Sequence, residues 1–97
     1  MKNILITYDV NTETKEGKRR LRHVAIACKN YGQRVQFSVF ECRVNDAQYE
    51  SFRAKILKII DPKLDSIRIY KLSASRELCL ESYGIDKYID FDDPLII

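Results

Sequence analysis

The sequence is poor in residues that break or loosen a chain, with 3 glycines and 2 prolines among 97 residues. With 45% hydrophobic and 32% charged residues, that scarcity excludes collagen-like, low-complexity and disordered classes. Long apolar runs are missing too. The longest, Val24 to Cys28, is far shorter than a membrane span, and Ile4 to Ile6 is too short for the core of a signal peptide. A soluble, cytoplasmic protein with no membrane partner is therefore expected. The three cysteines (Cys28, Cys42, Cys79) form no CxxC pair and lie in apolar stretches, so reduced, packed thiols are favoured over disulfides or zinc. With one histidine, His23, a histidine-based metal site or catalytic triad is improbable.

What remains is a chain sized for one compact domain, residues 1–97, with its charge unevenly spread. The net charge is +3, but residues 1–60 carry 12 Lys/Arg against 6 Asp/Glu, and residues 61–97 carry 5 against 8. Seven basic side chains (Lys15, Lys18, Arg19, Arg20, Arg22, Lys29, Arg34) fall within residues 15–34 beside one acid, Glu16. Such clustering points to a polyanion partner, although solvated charge is the commoner meaning of a basic stretch.

Residues Asn3 to Val10 (NILITYDV) form a continuous β-rich run that ends at Asp9 before a polar loop. From Lys18 to Tyr31, apolar Leu21, Val24, Ala25, Cys28 and Tyr31 recur at helical spacing, and Gly32 stands where a left-handed C-cap is expected. Arg34 to Val44 reads as strand, as one piece or two. Asn45 with Gln48 forms a capping-box pattern that opens a second helix, with Tyr49, Phe52, Ile56, Ile59 and Ile60 on one face and Pro62 ending it. Ser66 to Leu72 is a strand, and Leu78 to Tyr83 a short one. This order is that of an α+β, ferredoxin-like split βαβ, an antiparallel sheet with both helices on one face. Phe40, Tyr70 and Tyr8 are candidates for the open face. A symmetric dimer is expected to cover it, with the apolar tail Leu95 to Ile97 added to another subunit's sheet edge.

Asp9 is the first candidate for chemistry, although an Asp at such a junction as often caps or makes an Asx-turn. One carboxylate does not make a metal site. A two-fold axis beside Asp9 would bring two copies together, and Mg²⁺ (or Mn²⁺) held between them would relieve their repulsion and activate water. Arg19, Arg20 and Arg22, with Lys18, oppose the positive end of the helix dipole, which favours a phosphate ligand for them; the alternative is solvation and salt bridges to Glu13 or Glu16. Ser38 and Phe40 offer a hydroxyl and a ring near the site, or are ordinary strand residues. Asp86, Asp90, Asp92 and Asp93 have no calcium-loop spacing and read as a solvated tail, and His23 as a surface residue.

With these residues assembled, the sequence resembles the CRISPR-associated protein two family over nearly its whole length. The resemblance is carried by LITYDV (Leu5 to Val10), GKRRLRHVAIACKNYGQRVQFSVFEC (Gly17 to Cys42), SIRIYKL (Ser66 to Leu72) and DDPLII (Asp92 to Ile97), the YGQRVQ and SVFEC stretches resembling the subfamily found with type I-C systems. It implies a homodimer whose C-terminal strand, about residues 94–97, pairs with the partner's sheet, and a divalent metal between two copies of Asp9. Tyr8 and Asp9 match the strand-end motif, Arg19 or Arg20 the helix-start arginines, and Ser38 and Phe40 the SVF motif.

The resemblance also implies a metal-dependent endonuclease on double-stranded DNA or on RNA, acting in CRISPR spacer acquisition as dimeric partner of the CRISPR integrase. A second role known in the family is a non-catalytic, DNA-binding scaffold for the integration complex. A third reading is a toxin-type ribonuclease on the same fold.

Overall fold

The computed structural model describes residues 1–86, 88 and 89. Its elements are β1 (Lys2–Asp9), α1 (Lys15–Lys29), β2 (Gly32–Gln36), β3 (Val39–Val44), α2 (Asp46–Ile59), β4 (Ser66–Lys71) and a four-residue helix, α3 (Arg76–Cys79). The strands form one antiparallel sheet in the order β2-β3-β1-β4, the ferredoxin-like arrangement. The set of side chains facing inward is simple: Ile4, Ile6 and Tyr8 of β1 and Phe40, Cys42 and Val44 of β3 point to one face. There they meet Val24, Ala27 and Cys28 of α1 and Tyr49, Phe52 and Ile56 of α2 in one core, so both helices pack on the same side of the sheet.

Local chemistry explains the boundaries. Thr14 caps α1 by accepting the Gly17 N–H, so the helix starts at Lys15, three residues before the expected start at Lys18. Gly17 is required because a Cβ there would run into the Asn11 carbonyl, and the loop after β1 thus lies directly on the first turn of α1. The capping box of α2 is present in both directions: the Asn45 side chain accepts the Gln48 N–H, and the Gln48 side chain accepts the Asn45 N–H.

Three expectations are corrected, and the open choice between one strand and two in residues 34–44 is resolved. Gly32 is not a left-handed cap; it opens β2, where a Cβ would meet the Glu41 carbonyl and Cys42, while Asn30 caps α1 in right-handed geometry. Strand 34–44 is a hairpin that turns at Phe37 and Ser38, with a register shift between Arg34 and Gln36. The extra twist resets the alternation, leaving Phe37 91% exposed at the tip and Phe40 fully buried. Phe40 and Tyr8 therefore face the core; of the residues proposed for the open face only Tyr70, opposite Leu5, is on it. Leu78 to Tyr83 is no strand, since α3 occupies its start and Leu78 and Tyr83 are exposed with no ladder to join.

The open face is partly covered by the chain itself. Arg76 hydrogen bonds Glu41 of β3 at 2.7 Å and Asp86 at 3.3 Å, and its guanidinium lies 3.5 Å from the centre of the Tyr88 ring. The Gln33 side chain exchanges two hydrogen bonds with the backbone of Ile89. The expected strand at 94–97 lies outside the described residues.

Burial raises the thiols of Cys28 and Cys42 to about 12, whereas Cys79 is exposed. Only Cys79 is therefore expected to react rapidly with a thiol reagent in the native protein at mildly alkaline pH, with the other two following on unfolding. Asn45→Ala is expected to lower stability by about 1 kcal/mol in urea denaturation, because it removes one half of the capping box.

Candidate functional site

Asp9 is the last residue of β1 and is exposed, paired in register with Ser66 at the start of β4. Three other segments converge on that strand end. The β2–β3 turn is fastened to it: the Tyr8 N–H donates to the Ser38 carbonyl at 3.1 Å, and the Tyr8 hydroxyl donates to the Phe37 carbonyl at 3.4 Å. The first turns of α1 arrive from the other side, through the close approach of Gly17 to Asn11. The turn before β4 completes the group.

Tyr8 is a buried ring stacked on Phe40, with 6.2 Å between centroids. Burial raises its hydroxyl above the usual value, an effect partly offset by a hydrogen bond from Arg34, so at neutral pH it is a protonated donor. Arg34 also lies over the Phe40 ring, 5.2 Å from its centre. Arg34 stands next to the register shift of β2 and hydrogen bonds Tyr8 near the end of β1. Arg34 belonged to the basic cluster of the sequence, yet nothing in its spacing distinguished it.

Lys18, Arg19 and Arg22 are exposed on α1 and make no ion pair among the described residues. Arg20 differs. Its Nε and Nη2 donate to the two oxygens of Asp65 at 2.7 and 3.2 Å, and only 16% of its side chain is exposed. The alternative of a salt bridge to Glu13 or Glu16 is not realised for Arg20, which reaches instead to Asp65 in the turn before β4. Phe40, at 0% exposure, presents no face to a ligand in this structure, and Ser38 stays half-buried in the turn.

Asp65 is the residue that sequence reading missed. Its side chain is fully enclosed, and besides Arg20 it accepts the backbone N–H of Asn11 at 3.0 Å and of Asp61 at 2.9 Å. The Arg20 hydrogen bond, followed by those of Asp61 and Asn11, holds its carboxyl below the ordinary 3.8 against the opposing effect of burial. The signal available was the DPKLDS turn between a helix and a strand, which marks a turn but names no partner.

A hard divalent cation suits the oxygen donors of Asp9, which is itself one carboxylate per protomer. Among the described residues no group of three His, Cys, Asp or Glu side chains could hold a metal. The donor chemistry fits; the donor number fits only with a second copy.

A family model for CRISPR associated protein Cas2 matches residues 1–77. The chain belongs to the Cas2 family. It is 55% identical to the CRISPR-associated endoribonuclease Cas2 1 of Moorella thermoacetica, over 97% of this chain and 98% of that one. It is 50% identical to the CRISPR-associated endonuclease Cas2 of Halalkalibacterium halodurans, over 96% and 97%. The crystal structure of Streptococcus pyogenes Cas2 superposes with a TM-score of 0.75 at 51% identity, covering 84% of this chain and 99% of that one. Among the described residues, no helix of this family member is long and apolar enough to cross a membrane.

The lowered carboxyl of Asp65 sets a sign for acid stability. A group depressed on folding stabilises the fold above its unfolded value, and that contribution is lost as pH falls through the folded value. The melting-temperature gap between the native chain and Asp65→Asn is thus expected to be constant above roughly pH 5 and to shrink at lower pH. Thermal melts followed by circular dichroism between neutral and strongly acidic pH check this.

Proposed function

We propose that this chain is a divalent-metal-dependent endonuclease that hydrolyses phosphodiester bonds of double-stranded DNA in CRISPR spacer acquisition, as a homodimer partnered with the CRISPR integrase. The observation that carries the proposal is Asp9: an exposed carboxylate at the end of a strand whose alternate side chains are buried, in a chain of the Cas2 family whose first helix carries the exposed cations Lys18, Arg19 and Arg22. The relatives' names, endonuclease and endoribonuclease, support phosphodiester cleavage; the second of them also favours RNA as an alternative substrate.

In this reading, Asp9 of each protomer holds Mg²⁺ or Mn²⁺, which when bound supplies charge neutralisation at the phosphate and a more acidic water. The chain's own residues do the rest. Lys18, Arg19 and Arg22 meet backbone phosphates without reading sequence, as salt-dependent contacts. Tyr8 keeps the Phe37–Ser38 turn against the strand end, which sets where the Ser38 hydroxyl stands relative to the phosphate. Arg34 adds positive charge on that side. The C-terminal strand about residues 94–97 joins the two protomers by pairing with the partner's sheet.

Asp9→Asn tests the reading, because it preserves shape while removing the charge that holds the cation. Cleavage of linear duplex DNA and of single-stranded RNA is expected to fall by at least about 100-fold, with dimerisation and DNA affinity retained. Undiminished cleavage by rigorously purified Asp9→Asn protein would assign the activity to another site or a contaminant. DNA binding by a wild-type protein that cleaves neither substrate would favour the non-catalytic scaffold.

A further inference from the structure

We infer that Arg20 and Asp65 form a positioning pair that fixes the backbone around Asp9, and that Arg20 is not one of the phosphate-binding arginines. The catalytic consequence of this inference rests on the role proposed for Asp9; the geometric claim does not.

The argument starts from saturation. Both Asp65 oxygens are occupied, Oδ1 by the Asn11 N–H and Arg20 Nη2, and Oδ2 by Arg20 Nε and the Asp61 N–H. The side-on, two-point contact uses the planar fork of arginine, which a lysine cannot reproduce. Asn11 lies two residues beyond Asp9, and Ser66, the neighbour of Asp65 in sequence, is the register partner of Asp9. One enclosed carboxylate therefore ties the loop leaving Asp9 to α1 and to the turn that starts the strand beside it.

Val10 is buried in the core and the Asn11 carbonyl lies against Gly17, but neither of these contacts ties the loop to the turn before β4. The Asn11 side chain accepts the Glu13 N–H, which shapes the loop internally but anchors it to nothing else. Removing either partner of the pair leaves buried groups unmatched, two backbone N–H groups in one case and a carboxylate in the other. The loop should then shift, carrying the end of β1 with it. A displacement of about 1 Å in a catalytic group costs on the order of 100-fold in rate. Arg20, meanwhile, has little exposed surface left for a phosphate, whereas Arg19 and Arg22 are exposed.

The test uses the full chain carrying Asp65→Asn or Arg20→Gln, near-isosteric changes that each delete half of the pair. Three quantities are read below the melting transition: backbone amide resonances at Asp9 to Asn11, the salt dependence of duplex DNA affinity, and steady-state cleavage. The expected result is moved amide resonances in both variants, a wild-type slope of log affinity against log salt for Arg20→Gln, and kcat lowered roughly 10- to 100-fold with KM retained. A pair that merely stabilises the fold would lower the melting temperature and leave kcat alone. Should Asp65→Asn fail to fold, Arg20→Gln carries all three measurements.

The inference is overturned if the amides of Asp9 to Asn11 keep their wild-type positions, or if Arg20→Gln reduces the salt slope by about one, the mark of a lost phosphate contact. It is also overturned if KM rises while kcat holds. A wild-type protein that cleaves nothing would sink the nuclease reading instead, and the amides and the salt slope would still decide the placement of Arg20.

Discussion

The carboxylate of Asp65, enclosed and carrying four hydrogen bonds, is the contact on which the geometry of the candidate site depends. Strand β1 is held by its neighbours in the sheet as far as Asp9, where the ladder ends. Beyond that point the chain enters a polar loop with no apolar side chain large enough to anchor it except Val10. A buried ion pair is a poor general source of stability, because desolvation offsets much of its attraction. It is a good source of definition, since both partners have a strong penalty for any arrangement but one. At the end of β1 definition matters more than stability, because under the proposed function the exposed Asp9 carboxylate must hold one position while remaining in water.

The same logic separates the arginines. Counted in sequence, the seven basic residues between positions 15 and 34 look equivalent. Folded, they are not: Arg20 is committed to Asp65 and Arg34 stands over Phe40 beside Tyr8, while Lys18, Arg19 and Arg22 face solvent. Arg76, outside the cluster, is committed to Glu41, Asp86 and Tyr88. Arginine serves the internal roles because its planar fork matches a carboxylate at two points and its face stacks on a ring. The positive charge left to solvent is thus smaller than the charge count, and Lys18, Arg19 and Arg22 present it on α1.

The parts of the fold that were legible in sequence share a property: each is fixed by residues close together in the chain. The capping box at Asn45 and Gln48, the helical spacing of Tyr49, Phe52 and Ile56, and the β-rich run ending at Asp9 all form locally, and all occur as the pattern indicates. What failed depends on contacts across the chain. The hairpin turn at Phe37 and Ser38 is selected by Tyr8, some thirty positions away, and this exchanges the fates of Phe37 and Phe40. Gly32 looked like a cap because the local signal was right, but its use is decided by Cys42 across the ladder. Asp65 was invisible for the same reason: a lone aspartate in a turn carries no mark of the arginine that will meet it 45 residues earlier.

This division between local and distant determinants also bears on how many subunits the proposed chemistry requires. Among the described residues, Gly17, Ser38 and Asp65 shape the surroundings of Asp9 from within one protomer. The carboxylate itself is single. Among the described residues Asp9 belongs to no group of three acidic, histidine or cysteine side chains, so under the proposed function one protomer supplies half of a cation site. Two such halves related by a two-fold axis would place paired carboxylates at the centre and cations on both flanks, the charge order that a metal-bridged phosphodiester requires. A single protomer acting alone would have the opposite balance, with the positive border outweighing its one acid, and would bind nucleic acid without a means of cutting it.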